Sequence, residues 1–242
     1  MDLSRDGLLV ASANFDGTIR LWETDGGRPR ATLHGHDGGS LGVALSRDGR
    51  LLASGGMDGI VRLWDVKDGR SLAALHGHLA GVWSVAFDWD CRLVASGGDD
   101  KMVRLWDVAS GRLLATMRAH TDAVRGVALS NGARRVVSGS IDGSVRLWDT
   151  ASGRPLTALR GHPGGIWGLA LSDDGGLAAS GGVDGLVRLW DVDTGALRHA
   201  LRAERRFEGA DITGLSGVTE GQRGTLLALG AIERSGHTTP SS

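Results

Sequence analysis

The chain has 242 residues, of which 23% are charged, and its formal net charge at pH 7 is −1. This near-neutral balance lacks the basic face that nucleic-acid binding normally requires, and the single cysteine, Cys91, excludes an internal disulfide. No apolar run approaches the roughly 20 residues that a membrane span needs, and the N-terminus has no signal-peptide pattern, so we expect a cytoplasmic protein without nucleic-acid or membrane partners.

Five near-copies of one nine-residue stretch follow one another along the chain. They are DGTIRLWET (16–24), DGIVRLWDV (58–66), DKMVRLWDV (100–108), DGSVRLWDT (142–150) and DGLVRLWDV (184–192). Their tryptophans are spaced 42 residues apart throughout, with no insertion or deletion. A fixed period in the forties that ends in a tryptophan and an acidic residue predicts the blades of a β-propeller.

The second repeat shows how each unit is built. Four short apolar runs, separated by Asp-Gly-type turn signals, occupy 41–46, 51–56, 60–66 and 71–75. This pattern predicts a four-stranded antiparallel meander, with strands a to d in chain order. Both faces of the strands are apolar, so each sheet should be sandwiched between like neighbours. The fold class is therefore all-β, with five repeat units of 42 residues.

The two ends of the repeat region leave its closure open. The first repeat begins inside strand a, and Glu204 stands where a sixth repeat would place its histidine, so repeats occupy residues 1–206. The chain therefore holds four full four-stranded blades plus strands b, c and d of another. Either a C-terminal strand at 211–218 pairs beside Leu8–Ala13 and closes a five-bladed ring, or the units form an open arc of a larger propeller.

The segment after the repeats has two further predicted features. Within 207–233, Thr219 is a suitable N-cap for a short helix that runs through Leu229 and stops at Gly230. Residues 234–242 are polar and are predicted to be disordered.

The five motifs resemble those of the WD-repeat family of β-propellers. The resemblance implies that a Gly-His histidine, a strand-b serine, a turn aspartate and the strand-c tryptophan form a buried hydrogen-bonded set in each blade. The implied sets are His36, Ser54, Asp58 and Trp64; His78, Ser96, Asp100 and Trp106; His120, Ser138, Asp142 and Trp148; and His162, Ser180, Asp184 and Trp190. The first repeat has Ser12, Asp16 and Trp22 but no histidine. We interpret these histidines as structural, and we expect no metal site and no cofactor.

Positions that vary between the copies are the candidates for binding. In WD-repeat proteins, the d–a and b–c loops line one rim, which is usually the rim that binds partners. The residues at these places are Phe15, Leu41, Met57, Trp83, Asp99, Arg125, Ile141, Trp167 and Val183. Aromatic residues, Met and Arg are typical of protein-binding hot spots. The alternative is that Trp83 and Trp167 only pad the inner strands.

These patterns favour a non-catalytic scaffold that binds a protein or peptide on the rim. Residues 207–233 resemble the closing piece after the last repeat of large bacterial WD-repeat proteins, which would make this chain the C-terminal sensor part of a signalling protein with linked upstream domains. Two alternatives remain open: a propeller hydrolase or lyase with Asp99 and Arg125 at the channel mouth, and a truncated repeat array without independent activity.

Overall fold

The computed structural model describes residues 1–202, 211, 213, 219–228 and 231–233. They belong to two compact units, Met1–Leu201 and Arg202–Ser242. Almost all of the regular structure lies in the first unit, which consists of five four-stranded antiparallel sheets. The all-β prediction and the count of five units are therefore confirmed.

Each sheet is a consecutive meander, and we call the sheets blades one to five. Blade one contains β1 (Asp2–Leu3), β2 (Leu9–Ala13), β3 (Thr18–Glu23) and β4 (Pro29–His34). Blade two contains β5 (Ser40–Leu45), β6 (Leu51–Gly56), β7 (Ile60–Asp65) and β8 (Ser71–His76). Blade three contains β9 (Val82–Phe87), β10 (Leu93–Gly98), β11 (Met102–Asp107) and β12 (Leu113–Arg118). Blade four contains β13 (Val124–Leu129), β14 (Arg135–Ser140), β15 (Ser144–Asp149) and β16 (Pro155–Arg160), with a 3₁₀ turn at Asn131–Ala133. Blade five contains β17 (Ile166–Leu171), β18 (Leu177–Gly182), β19 (Leu186–Asp191) and β20 (Leu197–Arg202).

The blades pack face to face in chain order, and four apolar clusters fill the spaces between them. In the first cluster, Leu52 and Trp64 of blade two lie against Ile19 and Leu21 of blade one. The same arrangement recurs between each later pair of neighbours. We call the face that carries the tryptophan, and that meets the preceding blade, the leading face. The opposite face, which in blade two carries Val61 and Leu63, is the trailing face.

Blade one obtains its inner strand from the start of the chain. Asp2 pairs with Ala11 and Leu3 with Val10. Asp2 also reaches the next blade, because its Oδ2 accepts a hydrogen bond of 2.7 Å from the Leu45 N–H. β1 is therefore the neighbour of Val10 and Ala11 on this side, and most of the predicted closing strand at 211–218 lies outside the described residues. Of 211–218, only Asp211 and Thr213 lie within the described residues, and Asp211 forms a parallel bridge with Ile232.

The second unit contains one helix, α1 (Glu220–Ala228). Thr219 precedes it, and its Oγ1 accepts a hydrogen bond from the Gln222 N–H at 3.2 Å. The Gln222 Oε1 in turn accepts a hydrogen bond of 2.8 Å from the Thr219 N–H. These two bonds form a capping box, which satisfies backbone donors at the start of the helix. The predicted stop at Gly230 and the predicted disorder of 234–242 lie outside the described residues.

The a–b turn of every blade has positive φ at one repeated position, and Gly132 (φ 73°) adds a second such residue in blade four. Glycine takes this place in three blades, whereas Cys91 (φ 55°) and Ala133 (φ 52°) take it in the other two. Cys91 therefore stands at a turn position that glycine occupies in three other blades. A residue with a Cβ atom is strained in the left-handed region by about 1–2 kcal/mol.

We therefore expect Ala133→Gly to stabilise the fold by roughly 0.5–1 kcal/mol, because relief of this strain exceeds the added flexibility of the unfolded chain. Chemical denaturation measures the difference. The matched control is Ala128→Gly in the extended strand β13, which should lose about 0.5–1 kcal/mol. A loss of stability in both variants would contradict the strain argument.

Candidate functional site

Blades two to five each bring the four expected residues into one hydrogen-bonded chain. In blade two, the Trp64 indole N–H donates to Ser54 Oγ at 2.8 Å, and Ser54 Oγ lies 2.7 Å from His36 Nε2. His36 Nδ1 then lies 3.0 Å from Asp58 Oδ1. In blades three to five, the three corresponding distances are 2.8, 2.8 and 2.9 Å in every set.

One assignment of protons satisfies every member of this chain. The indole can only donate, and the carboxylate can only accept. Serine must therefore accept from tryptophan and donate to Nε2, while Nδ1–H of the imidazole donates to the aspartate. This requires a neutral histidine. Burial lowers the pKa of His36, His78 and His120. This effect is larger than that of the neighbouring aspartates, which raise the pKa.

The turn aspartates are held in their ionised form. Burial alone would raise the pKa of Asp100, but hydrogen bonds from His78, Arg104 and the Leu79 N–H outweigh it and keep the value well below the usual range. The same balance lowers the pKa of Asp184 to about 2. Each set therefore contains a charged carboxylate beside a neutral imidazole, which is the pattern of a structural network that ties a loop to a strand.

An arginine on strand c is a fifth member that the sequence analysis missed. Nη1 of Arg62 lies 2.6 Å from Asp58 Oδ2, and Arg104 and Arg188 make the same bond at the same distance to Asp100 and Asp184. The sequence did single out this arginine, because Val/Ile-Arg-Leu-Trp recurs in all five copies. Blade four differs: there the Ser144 hydroxyl bonds Asp142 at 2.6 Å, and Nε of Arg146 has no hydrogen-bond partner.

Blade one contains only a weakened version of the set. The Trp22 indole nitrogen lies 3.5 Å from Ser12 Oγ. Asp16 bonds Thr18 and forms an exposed ion pair with Arg20 at 3.2 Å. The structure thus places Ser12 and Trp22 together, whereas Asp16 lies apart from them because no histidine joins the two.

The variable positions on the d–a and b–c side rest on a common backbone frame. The N–H of Met57 donates to the carbonyl of Gly39 at 2.8 Å, and Asp99 donates to Gly81 at the same distance. Ile141 and Val183 make the corresponding bonds at 2.9 and 3.0 Å. Because the frame is constant, the differences between these side chains do not arise from the needs of the fold.

Four of the predicted rim residues form a single cluster, which we call the indole–arginine cluster. The Arg125 guanidinium lies 3.8 Å from the ring centre of Trp83 and 5.3 Å from that of Trp167. Asp99 accepts the indole N–H of Trp83 at 2.8 Å and pairs with Arg125 at 3.2 Å. The Arg125 side chain is only 15% exposed, and its Nε and Nη1 are buried with no hydrogen-bond partner among the described residues. A fixed guanidinium between two indoles follows from this geometry.

The other rim residues border the cluster or lie near one another. Phe15 and Met57 are exposed and both approach Gly39, since a Cβ atom there would lie 3.3 Å from Phe15 and 3.1 Å from Met57. Val183 is exposed, while Leu41 and Ile141 are partly buried. Trp167, which belongs to the cluster, is 57% exposed. An apolar surface with one buried cation therefore lies on this side of the blades.

The inner strands of all five blades line a cavity of about 540 Å³. One mouth of this cavity carries the a–b turns, on the side opposite the d–a and b–c rim. At that mouth, Arg47 stacks on Trp89 at 3.3 Å, and Arg5 approaches the same ring at 4.5 Å. Arg5 also bonds Asp173 at 2.9 Å. The sequence analysis missed this group. One position of the repeat is occupied by Arg5, Arg47, Trp89, Asn131 and Asp173, so its residue type varies between the blades.

Catalytic and metal chemistry receive little support from the described residues. No group of three or more His, Cys, Asp or Glu side chains within them is placed to hold a metal ion. Burial raises the pKa of the Cys91 thiol, which disfavours the nucleophilic thiolate. Asp99 and Arg125, the candidates for a channel-mouth enzyme, are engaged with each other. No helix in the described part of the chain is long and apolar enough to span a membrane.

Five stacked four-stranded meanders, four of which contain a Trp–Ser–His–Asp network, define a repeat protein of the β-propeller class. The family model for the WD domain, G-beta repeat, matches residues 1–23, 27–65, 69–107, 111–149 and 153–191. The chain therefore belongs to the WD40 repeat family, whose members are commonly protein-interaction scaffolds. A comparison with curated proteins gave no match.

Proposed function

We propose that the chain is a non-catalytic scaffold that binds a protein or peptide on the d–a and b–c rim. The observation that carries this proposal is the indole–arginine cluster, in which two tryptophans from different blades bracket one arginine. Tryptophan and arginine are the residues most enriched at the energetic centres of protein interfaces. Asp99, which contacts both Trp83 and Arg125, occupies a position whose backbone hydrogen bond recurs at Met57, Ile141 and Val183.

The geometry of the cluster supports binding rather than padding alone. A tryptophan that only filled space would be buried, whereas Trp167 is 57% exposed. Asp99 and Trp83 fix Arg125 from the side, so little side-chain entropy remains to be lost when a partner docks. Phe15, Met57 and Val183 extend the apolar surface on the same side. A partner that fits this surface offers apolar side chains that pack on the exposed indole of Trp167.

We further propose that this interaction serves a larger bacterial signalling protein. The support is the resemblance of residues 207–233 to the piece that follows the last repeat in such proteins. The cluster argument does not depend on this context. A binding scaffold needs only the rim.

We expect the triple variant Trp83→Ala, Arg125→Glu, Trp167→Ala to lose the binding of peptides selected on the wild-type chain from a displayed peptide library. The physical reason is removal of both indole surfaces together with reversal of the buried charge, which should weaken binding by at least about a hundredfold. Binding of the selected peptides is measured by titration calorimetry, and the fold is checked by circular dichroism.

The control replaces three exposed leucines on the outer strands, Leu72, Leu114 and Leu156, with alanine. This variant removes a comparable amount of exposed apolar surface but leaves the rim intact, so it should retain affinity. Undiminished binding by a folded rim variant would place the binding surface elsewhere on the molecule.

A further inference from the structure

The trailing face of blade five is exposed although its sequence is that of a buried face. Val187 is 43% exposed, whereas the equivalent Val61 and Val103 are both 0% exposed. Leu201 is 51% exposed, whereas the equivalent Leu75 is 2% exposed. The residues that the earlier blades bury against the next blade are therefore exposed in blade five.

The glycines on this face of the sheet also differ between the earlier blades and blade five. A Cβ atom on Gly42 would lie 2.6 Å from the carbonyl oxygen of Trp83 in the next blade, and one on Gly55 would lie 2.6 Å from Val82. Within the described part of the chain, a Cβ atom on the equivalent glycines of blade five, Gly168 and Gly181, would have no atom within 4 Å. These glycines form shallow pits on the inner half of the face.

The face thus has two unlike halves. Gly168 on β17 pairs with Gly181 on β18, and Gly181 pairs with Val187 on β19. Leu201 lies on β20, the outermost strand. The two glycine pits therefore lie on β17 and β18, and the two exposed aliphatic side chains lie on β19 and β20. A rotation of 180° about an axis between β18 and β19 places each side chain of one copy opposite a pit of the other.

Between neighbouring blades, an aliphatic side chain fills each of these glycine pits. At Gly55, Gly97 and Gly139 it is the first residue of the next inner strand, namely Val82, Val124 and Ile166.

We propose that the trailing face of blade five is the interface of a symmetric dimer with a second copy of this chain. The twofold axis runs parallel to the strands between β18 and β19. Val187 of each copy then lies over Gly181 of the second copy, and Leu201 over Gly168. Isologous contacts of this kind close on themselves, and they are the commonest form of homo-oligomer.

The first test is sedimentation equilibrium of the 242-residue chain from micromolar to about millimolar concentration, where a reversible monomer–dimer equilibrium is expected. Gly181→Leu should fold normally, because its side chain enters open space and Gly181 has no positive φ. It should nevertheless weaken the dimer by at least about tenfold, since it fills the pit that receives Val187. The control Leu156→Glu, on the exposed strand β16, should dimerise like the wild type.

The second test is directed cross-linking in a Cys91→Gly background. When Gly181→Cys and Val187→Cys chains are mixed under oxidising conditions, the mixed disulfide should exceed either homodisulfide. A chain that stays monomeric throughout would overturn the proposal and point to coverage within one chain. Predominant homodisulfides would overturn the proposed axis. Loss of association in Val10→Glu, on the leading face of blade one, would overturn it in favour of head-to-tail contact.

Discussion

Trp106→Ala is expected to destabilise the chain by about 3–5 kcal/mol, which is a large part of the stability of an ordinary domain. Trp106 is 1% exposed and packs between blades two and three against Val61 and Leu63. Its removal leaves a large cavity in that interface, and it also removes the N–H donor that holds Ser96 Oγ at 2.8 Å. Urea denaturation followed by circular dichroism measures the loss.

Trp167→Ala provides the comparison within the same residue type. Because Trp167 is largely exposed, its truncation should change the free energy of unfolding by no more than about 0.5 kcal/mol. Similar losses for the two variants would mean that Trp167 serves packing, and the assignment of the rim would have to be abandoned.

Asp100→Ala is expected to cost about 3–5 kcal/mol, because it leaves a buried guanidinium without a counter-charge. The Arg104 side chain is 6% exposed and lies 2.6 Å from Asp100 Oδ2. In blade four, no arginine bonds the equivalent Asp142, whose partners are His120, Ser144 and the Thr121 N–H. Asp142→Ala should therefore cost less, about 1–3 kcal/mol.

The double variant Asp100→Ala, Arg104→Met distinguishes the cost of the unpaired guanidinium from the cost of the lost hydrogen bonds. If the uncompensated guanidinium causes most of the loss, methionine at 104 should restore more than half of it. Calorimetric melting of the single and double variants gives the comparison. No recovery, or equal losses for the Asp100 and Asp142 variants, would show that the arginine contributes little.

The repeat pattern was sufficient to predict the architecture, because every blade repeats the same strand lengths and turn chemistry at one spacing. The resemblance to the WD-repeat family implied the serine, histidine, aspartate and tryptophan of each set. The strand-c arginine was overlooked because a repeated charged residue on a strand is usually taken to face solvent. Only the structure shows that Arg104 is buried against its aspartate.

Contacts between blades were much harder to predict than contacts within them. Whether Arg125 meets Trp83, Trp167 or both depends on the angle between successive blades, and no local pattern encodes that angle. The same reason applies to Arg5, Trp89 and Asp173, which lie in three different blades. At the start of the chain, two residues of β1 supply part of the inner strand of blade one, and the predicted closing strand at 211–218 lies mostly outside the described residues.

The four apolar clusters each join one blade to the next, and this arrangement governs how the molecule comes apart. In such a linear array, stability is close to a sum of blade terms and nearest-neighbour terms. Among the described residues, blade three takes part in two of these clusters, whereas blades one and five each take part in one. We therefore expect the terminal blades to unfold first. Blade three, which carries the Asp99 and Trp83 side chains on its rim, should unfold late.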